Sequence, residues 1–240
     1  MSRASVVDGL ERLIERKSEL ARRAAAAPIA QRLQELRTWQ AARLAGTYSD
    51  LRVDALTGKA LSFFMSDLYG PQDLTRRDHD VARAWRLLKR ALTPRMLEIL
   101  SMAMELDVLS AELDLEMAER LLPGPLTAET YAQAYRAAGR PEARLRQIEL
   151  VVAIGTALVR AVRTPLVRLA LRAAHGPAHL AGFGTLQDFL ERGFAAFERL
   201  PHPKGLFMTI ERREARLMDI LLAGGTISAE GSSASKSASG

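Results

Sequence analysis

The sequence has no cysteine and no long apolar run, and both absences exclude classes of function. Without cysteine among its 240 residues, the chain cannot form disulfides, thiolate metal sites or cysteine nucleophiles. No run approaches the roughly 18 uncharged apolar residues of a membrane span, so no transmembrane helix is predicted. The apolar stripe of the first 20 residues contains Asp8, Glu11 and Glu15, unlike a signal peptide. We therefore expect a cytoplasmic protein.

Lysine is also scarce: five of the 34 basic residues are lysine, and the net charge is +6. Arginine forks bind carboxylates and phosphates with two hydrogen bonds, so this bias would suit anionic partners. An Ala-, Arg- and Leu-rich composition is also typical of a high-GC bacterial genome, and we favour that interpretation. The basic residues alternate with acids, as on a solvated face with ion pairs.

The apolar residues recur at helical spacing throughout, and no segment alternates with a period of two. The pattern predicts an all-α protein, a single multi-helix bundle of eight to ten helices. A long helix near 94–122 is apolar around most of its circumference. Such a helix is surrounded by neighbours, so we expect it to be central.

Three segments are predicted. Residues 1–26 form an N-terminal amphipathic helix, and residues 27–224 form the helical bundle domain. Residues 225–240 form a disordered Ser/Gly-rich tail, because they contain no core-forming residues.

Local signals predict several helix ends. Ser5, Thr93 and Thr185 suit N-caps, and Pro94 suits a first helical position. The stretch HGPAHLAGFG, residues 175–184, is predicted to be a loop after a helix that ends near Ala174.

The long helix carries carboxylates on a narrow arc: Glu105, Glu112, Glu116 and Glu119. Carboxylates on facing helices build di-iron sites, but these also need Glu-x-x-His on two helices, which the sequence lacks. We favour an acidic stripe that pairs with arginines of neighbouring helices.

No cofactor and no metal site is predicted. His175 and His179 have the four-residue spacing of metal ligands on a helix, but Gly176 and Pro177 between them make a regular helix doubtful. GFGTLQ at Gly182 lacks the third glycine of a dinucleotide fingerprint and no strand precedes it. No Walker loop, Gly-x-Ser-x-Gly elbow or His-Glu-x-x-His motif occurs, so no catalytic residue is assigned.

The most basic segment is the helix predicted at 76–90, and it is the candidate surface for nucleic acid. It carries six cations, and its acidic start suits a helix N-terminus. Its basic residues are Arg76, Arg77, Arg83, Arg86, Lys89 and Arg90.

The stretch FFMSDLYGPQDLTRRD, residues 63–78, resembles an uncharacterised bacterial protein family with a Phe-Phe-x-x-x-Leu-Tyr-Gly-Pro signature. The resemblance continues through WQAARLAGTYSDL, ELDVLSAELD, RQIELV and LQDFLERGFAAF, over most of residues 30–222. It implies a helical fold and supplies no catalytic residues.

Three hypotheses for function follow. The leading one is a protein-interaction or regulatory module without catalytic activity, with a protein partner or as a homo-oligomer. The second is a small-molecule-binding protein or enzyme with a pocket inside the bundle, and the third is nucleic-acid binding through 76–90. The candidate pocket residues are Tyr69, Arg77, Glu105, Tyr131 and Arg136.

Overall fold

The computed structural model describes residues 2–26, 28–63, 65 and 93–228, and in these ranges the chain forms nine α-helices and no strand. The predicted all-α class is confirmed. In chain order the helices are α1 (Arg3–Ala24), α2 (Ile29–Thr47), α3 (Ala55–Phe63), α4 (Pro94–Ala118), α5 (Ala128–Ala138), α6 (Pro141–Val162), α7 (Pro165–Leu180), α8 (Gly184–Phe197) and α9 (Pro203–Leu222), with a 3-10 turn at Asp50–Arg52.

Helix α4 is the centre of the bundle, as its apolar circumference predicts. It packs against α1, α2, α5 and α6. Leu97 meets Leu10 of α1 in one apolar cluster, and Leu106 meets Leu150 of α6 in another. Met117 joins a third cluster with α2, α5 and α9. Each neighbour therefore covers a different side of α4.

A second part of the core lies around Phe63, the last residue of α3. Phe63 is buried, and its ring contacts those of Phe189 and Phe197 on α8, with centroids 5.3 and 5.9 Å away. Gly193 of α8 lies under the same ring, where a Cβ would approach it to 2.9 Å. The phenylalanine that begins the signature is thus a core residue.

Several predicted helix ends are confirmed. The Thr93 side chain accepts a hydrogen bond from the Met96 backbone N–H, and Pro94 is the first residue of α4. Two predicted caps were wrong. The N-cap of α1 is Ser2, whose hydroxyl accepts from the backbone N–H of Ser5, and α8 begins one residue before Thr185.

The predicted loop at 175–184 was wrong for residues 175–180, because α7 continues to Leu180 with Pro177 inside it, and the connection to α8 is residues 181–183. The helix is held from α8. Gln187 Nε2 donates to the Leu171 carbonyl oxygen at 2.8 Å, and the His179 ring packs on Gly184. Packing against a neighbour therefore outweighs the local cost of Gly176 and Pro177.

Tyr69, Arg77 and the basic segment 76–90 lie outside the described residues, as do most of the signature and residues 229–240 of the predicted tail. Ile227, inside the predicted tail, is 5% exposed and packs in the cluster of Tyr131 and Leu221, so the core extends past residue 224. Helix α1 packs along α4, and the domain boundary after residue 26 stays a prediction. Among the described helices none is long and apolar enough by itself to cross a membrane, although the pair α6 and α7, bent by 85°, passes the same criterion together.

Candidate functional site

A group of buried charged and aromatic side chains lies between α2, α4, α5, α6 and α9. Its first member is Arg43 on α2, whose Nη1 donates to both carboxylate oxygens of Glu214 on α9, at 2.6 and 2.9 Å. The Tyr48 hydroxyl donates to the same carboxylate at 2.7 Å. Burial alone would lower the pKa of Arg43, but the charge of Glu214 outweighs it and raises that pKa. The Arg43 guanidinium therefore stays charged.

Asp114 on α4 forms a second ion pair nearby. It accepts hydrogen bonds from Gln40 Nε2 at 3.1 Å and from Arg37 Nε at 3.4 Å. Burial raises the pKa of Asp114, although the charge of Arg37 acts in the opposite direction. The side chain of Arg37 is 40% exposed, so this countercharge of Asp114 lies at the rim of the group, and the charge of Arg144 also lowers the pKa of Asp114.

Arg144 on α6 is 6% exposed. Its guanidinium lies 3.5 Å from the centroid of the Tyr135 ring, and its Nε donates to the Gly139 carbonyl oxygen at 3.1 Å. In the part of the chain that the structure describes, no carboxylate forms an ion pair with Arg144. Its Nη2 and the Nε of Arg43 are buried without a hydrogen-bond partner. Such buried donors are unusual in folded proteins and require an explanation.

Aromatic rings form one wall of the group. Trp39 stacks on Tyr131 with centroids 3.8 Å apart, and Tyr135 follows at 6.1 Å. Burial raises the pKa of Tyr131, and it raises the pKa of Tyr135 to about 12. Both hydroxyls are therefore protonated at neutral pH, so they serve as hydrogen-bond donors or acceptors and not as bases.

These side chains line a partly open cavity of about 60 Å³, which we call the central cavity. Two cations, two carboxylates, two amides and two tyrosines share its wall with apolar residues. Its lining consists of Gln40, Arg43, Leu113, Asp114, Tyr131, Tyr135, Arg144, Gln147, Ile148, Glu214, Leu217, Met218, Leu221 and Ile227.

The structure brings one of the five predicted pocket residues to this cavity, Tyr131. Arg136 lies near it but donates through Nη1 to the Leu221 carbonyl oxygen at 3.2 Å, at the end of α9. Glu105 lies apart, in a half-exposed ion pair with Arg146 at 2.8 Å. The other two candidates, Tyr69 and Arg77, lie outside the described residues.

Four charged lining residues were missed from the sequence: Arg43, Asp114, Arg144 and Glu214. The sequence feature that could have located this cavity is the four-residue spacing of Tyr131 and Tyr135, which places both rings on one face of α5. In a chain with so many arginines, nothing local distinguishes the buried Arg144 from exposed ones.

The acidic stripe of α4 is confirmed as a set of ion pairs with arginines. Arg16 and Arg23 of α1 bind Glu112 and Glu119 at 2.8 and 2.9 Å. Arg140, at the start of α6, binds Glu116 at 2.7 Å. The fourth member, Glu105, has the arginine partner described above. These carboxylates pair with arginines of neighbouring elements and do not converge on a common metal or ligand site.

A second polar group lies on the surface between α7 and α8. Because α7 is regular here, His175 and His179 share a face, and their ligand atoms lie within 4.8 Å of Asp188. His175 Nδ1 is 2.8 Å from Glu191 Oε1, and His179 Nε2 is 3.0 Å from Asp188 Oδ1. The pairs join the two helices at an exposed position.

Comparison with known proteins gives a family. A family model described as a domain of unknown function, DUF8198, matches residues 19–227. No curated protein and no solved structure matches the chain. The matched range contains α2 to α9 and every residue that lines the central cavity. Since the match covers most of its length, the chain belongs to the DUF8198 family.

Proposed function

We propose that the protein is a helical interaction module that pairs with a second copy of itself through α7. The observation that carries the proposal is that α7, although 16 residues long, has no buried residue. One side of this helix is apolar and exposed, and we call it the α7 face. It consists of Leu166, Leu169, Ala170, Ala173, Pro177 and Leu180.

The leucine side chains of the α7 face are unusually exposed. Leu166 is 72% exposed, Leu169 is 64% exposed and Leu180 is 92% exposed. Single exposed leucines are ordinary on protein surfaces, but several on one helical face mark an interaction site. The opposite side of α7 already packs on α8 and α6, so the apolar face is directed away from the bundle.

A second copy is the occupant that an uncharged face favours. The α7 face has no charged residue, and the polar groups between α7 and α8 already contact one another within the molecule: Arg168 with Glu198, His175 with Glu191, and His179 with Asp188. In a two-fold interface each surface meets its own copy, so an apolar face without charge is able to match itself. The small side chains of Ala170 and Ala173 would let two α7 helices approach closely.

Sedimentation velocity over a wide concentration range tests the proposal. We expect a concentration-dependent dimer for the wild type and a monomer for Leu169→Glu, because a buried carboxylate at the interface would be unpaired. Met208→Glu is the matched control, since Met208 is a 57% exposed apolar residue on α9. It should dimerise like the wild type.

Two results would overturn self-association. One is a wild-type monomer at all concentrations. The other is a dimer that Leu169→Glu leaves intact, which would place the interface elsewhere. Flotation of the wild type with anionic vesicles, lost in Leu169→Glu, would instead assign the α7 face to a membrane surface.

The biological setting is part of the same proposal. We place the protein in a bacterial cytoplasm, supported by its lack of cysteine, its Arg-rich composition and its resemblance to a bacterial family with the Phe-Phe-x-x-x-Leu-Tyr-Gly-Pro signature. Its role would be regulatory and without catalytic activity. Fractionation of the native host tests the location.

Small-molecule binding inside the bundle is the second candidate, and the buried donors of Arg43 and Arg144 at the central cavity favour it. Nucleic-acid binding through 76–90 stays a prediction from sequence. Filter binding to random DNA and RNA at several salt concentrations tests it, because phosphate contacts give a steep salt dependence.

A further inference from the structure

We infer that the central cavity is a binding site for a small monocarboxylate. The inference goes beyond self-association and gives a ligand class to the second candidate function. It starts from the two unpartnered donors: Arg43 and Arg144 both line the cavity, and each has a buried N–H group without a hydrogen-bond acceptor. A ligand that accepts hydrogen bonds would satisfy both.

The charge balance of the wall favours one negative charge on that ligand. Glu214 neutralises Arg43 at 2.6 Å. Asp114 has its own countercharge in Arg37. Arg144 contacts a carbonyl oxygen and an aromatic ring, and the charge of Asp114 acts on it from beyond ion-pair distance. A buried charge is costly unless it is paired, so one further anion would stabilise this wall.

A monoanion fits better than a dianion. The cavity already contains the carboxylates of Asp114 and Glu214, and burial raises the pKa of Asp114, so added negative charge is unfavourable there. A phosphate dianion would leave one excess charge after pairing with Arg144. A carboxylate matches the one guanidinium without an ion pair, and its two oxygens offer an acceptor to each of the two unpartnered donors, Arg144 Nη2 and Arg43 Nε.

The size and the remaining wall favour a short alkyl group on the acid. The cavity measures about 60 Å³. A water-sized sphere needs about 10–15 Å³ by this measure, so the space suits about four to six such spheres. Ile148, Leu217 and Met218 give the wall apolar area. Acetate and propionate have the matching size and polarity.

Thermal unfolding of the full chain with acetate or propionate tests the inference at neutral pH and constant ionic strength. We expect both acids to raise Tm saturably, because a ligand that binds the folded state stabilises it by mass action. Chloride, phosphate and neutral acetamide should give no saturable rise. Equal effects of acetamide and acetate would overturn the requirement for charge, and a stronger effect of phosphate would overturn the carboxylate.

Matched arginine variants locate the site. Arg144→Gln should weaken acetate binding by about tenfold to a hundredfold, because one charge-assisted hydrogen bond is lost. Arg146→Gln, two residues along α6 in a half-exposed pair with Glu105, should bind acetate like the wild type. Retained affinity in Arg144→Gln would overturn the assignment.

A measurement on the wild type covers the case in which Arg144→Gln does not fold. In an acetate titration followed by ¹⁵N NMR of arginine side chains, the Nε–H signals of Arg43 and Arg144 should shift together, and that of Arg146 should not. Unmoved signals would show that water alone fills the cavity. Sedimentation of the same samples reports self-association separately, so failure of one proposal is distinguishable from failure of the other.

Discussion

Gly155 shows how closely two helices approach in this core. It lies on α6 beneath the Phe207 ring of α9, where a Cβ would lie 2.3 Å from the ring atom Cε1. The ring is 3% exposed and is enclosed by other core side chains, so it has little freedom to move away. The small size of one residue therefore sets the distance between α6 and α9, and both helices contribute residues to the central cavity.

We expect Gly155→Ala to destabilise the protein by about 1–3 kcal/mol, because the added methyl group overpacks the contact with Phe207. Chemical denaturation measures the change in free energy of unfolding. Gly9→Ala on α1 is the control. Nothing lies within 4 Å of a Cβ there, so the helix propensity of alanine should stabilise the protein by up to about 1 kcal/mol. Equal stability of Gly155→Ala and the wild type would contradict the packing argument.

Single residues also show the limits of sequence reasoning. Tyr131 was among the predicted pocket residues, whereas Tyr135, four residues along the same helix, was not, although both line the cavity. Arg144 was not predicted, since its burial depends on Tyr135 and Gly139 of the preceding helix and turn and on helices distant in sequence. Glu105 has the same local pattern as Glu112, and both are paired to arginines at the surface. Whether a charge lines a cavity is decided by tertiary packing.

Among the elements, α4 was predicted well, whereas α7 was predicted from Pro165 but not beyond Ala174. The apolar circumference of α4 predicts a central position for this helix, whichever helices pack around it. Gly176 and Pro177 predicted a break in α7, but contacts with α8 stabilise the helix across them. Local propensity is a weak guide where a neighbouring helix supplies the stabilising contacts.

The contact between α1 and α4 contains both buried apolar side chains and exposed ion pairs, so single variants can compare their contributions to the free energy of unfolding. Leu10 is fully buried against Leu97, whereas Arg16 reaches Glu112 from a side chain that is 40% exposed. Leu10→Ala should cost about 2–5 kcal/mol, since it removes buried apolar area and leaves a cavity. Arg16→Ala should cost much less, because solvent screens an exposed pair. Denaturant titrations compare the two, and a larger loss in Arg16→Ala would show that ion pairs dominate this contact.

Across the whole molecule, burial is uneven, and stability should follow it. Seven residues of α4 are buried, and α7 has none. The free energy of local opening is low where few apolar contacts must be broken. Hydrogen exchange of the dilute protein should therefore show less protected amides in α7 than in α4.

Self-association should change the protection of amides in α7 but not in α4. If two copies pair through the α7 face, raising the protein concentration should increase protection of the α7 amides and leave α4 unchanged, because binding stabilises the segment it covers. Leu169→Glu should keep α7 poorly protected at every concentration. Protection of wild-type α7 that is high in dilute solution and independent of concentration would mean that the bundle alone stabilises this helix, and the exposed leucines would then need another explanation than a second copy.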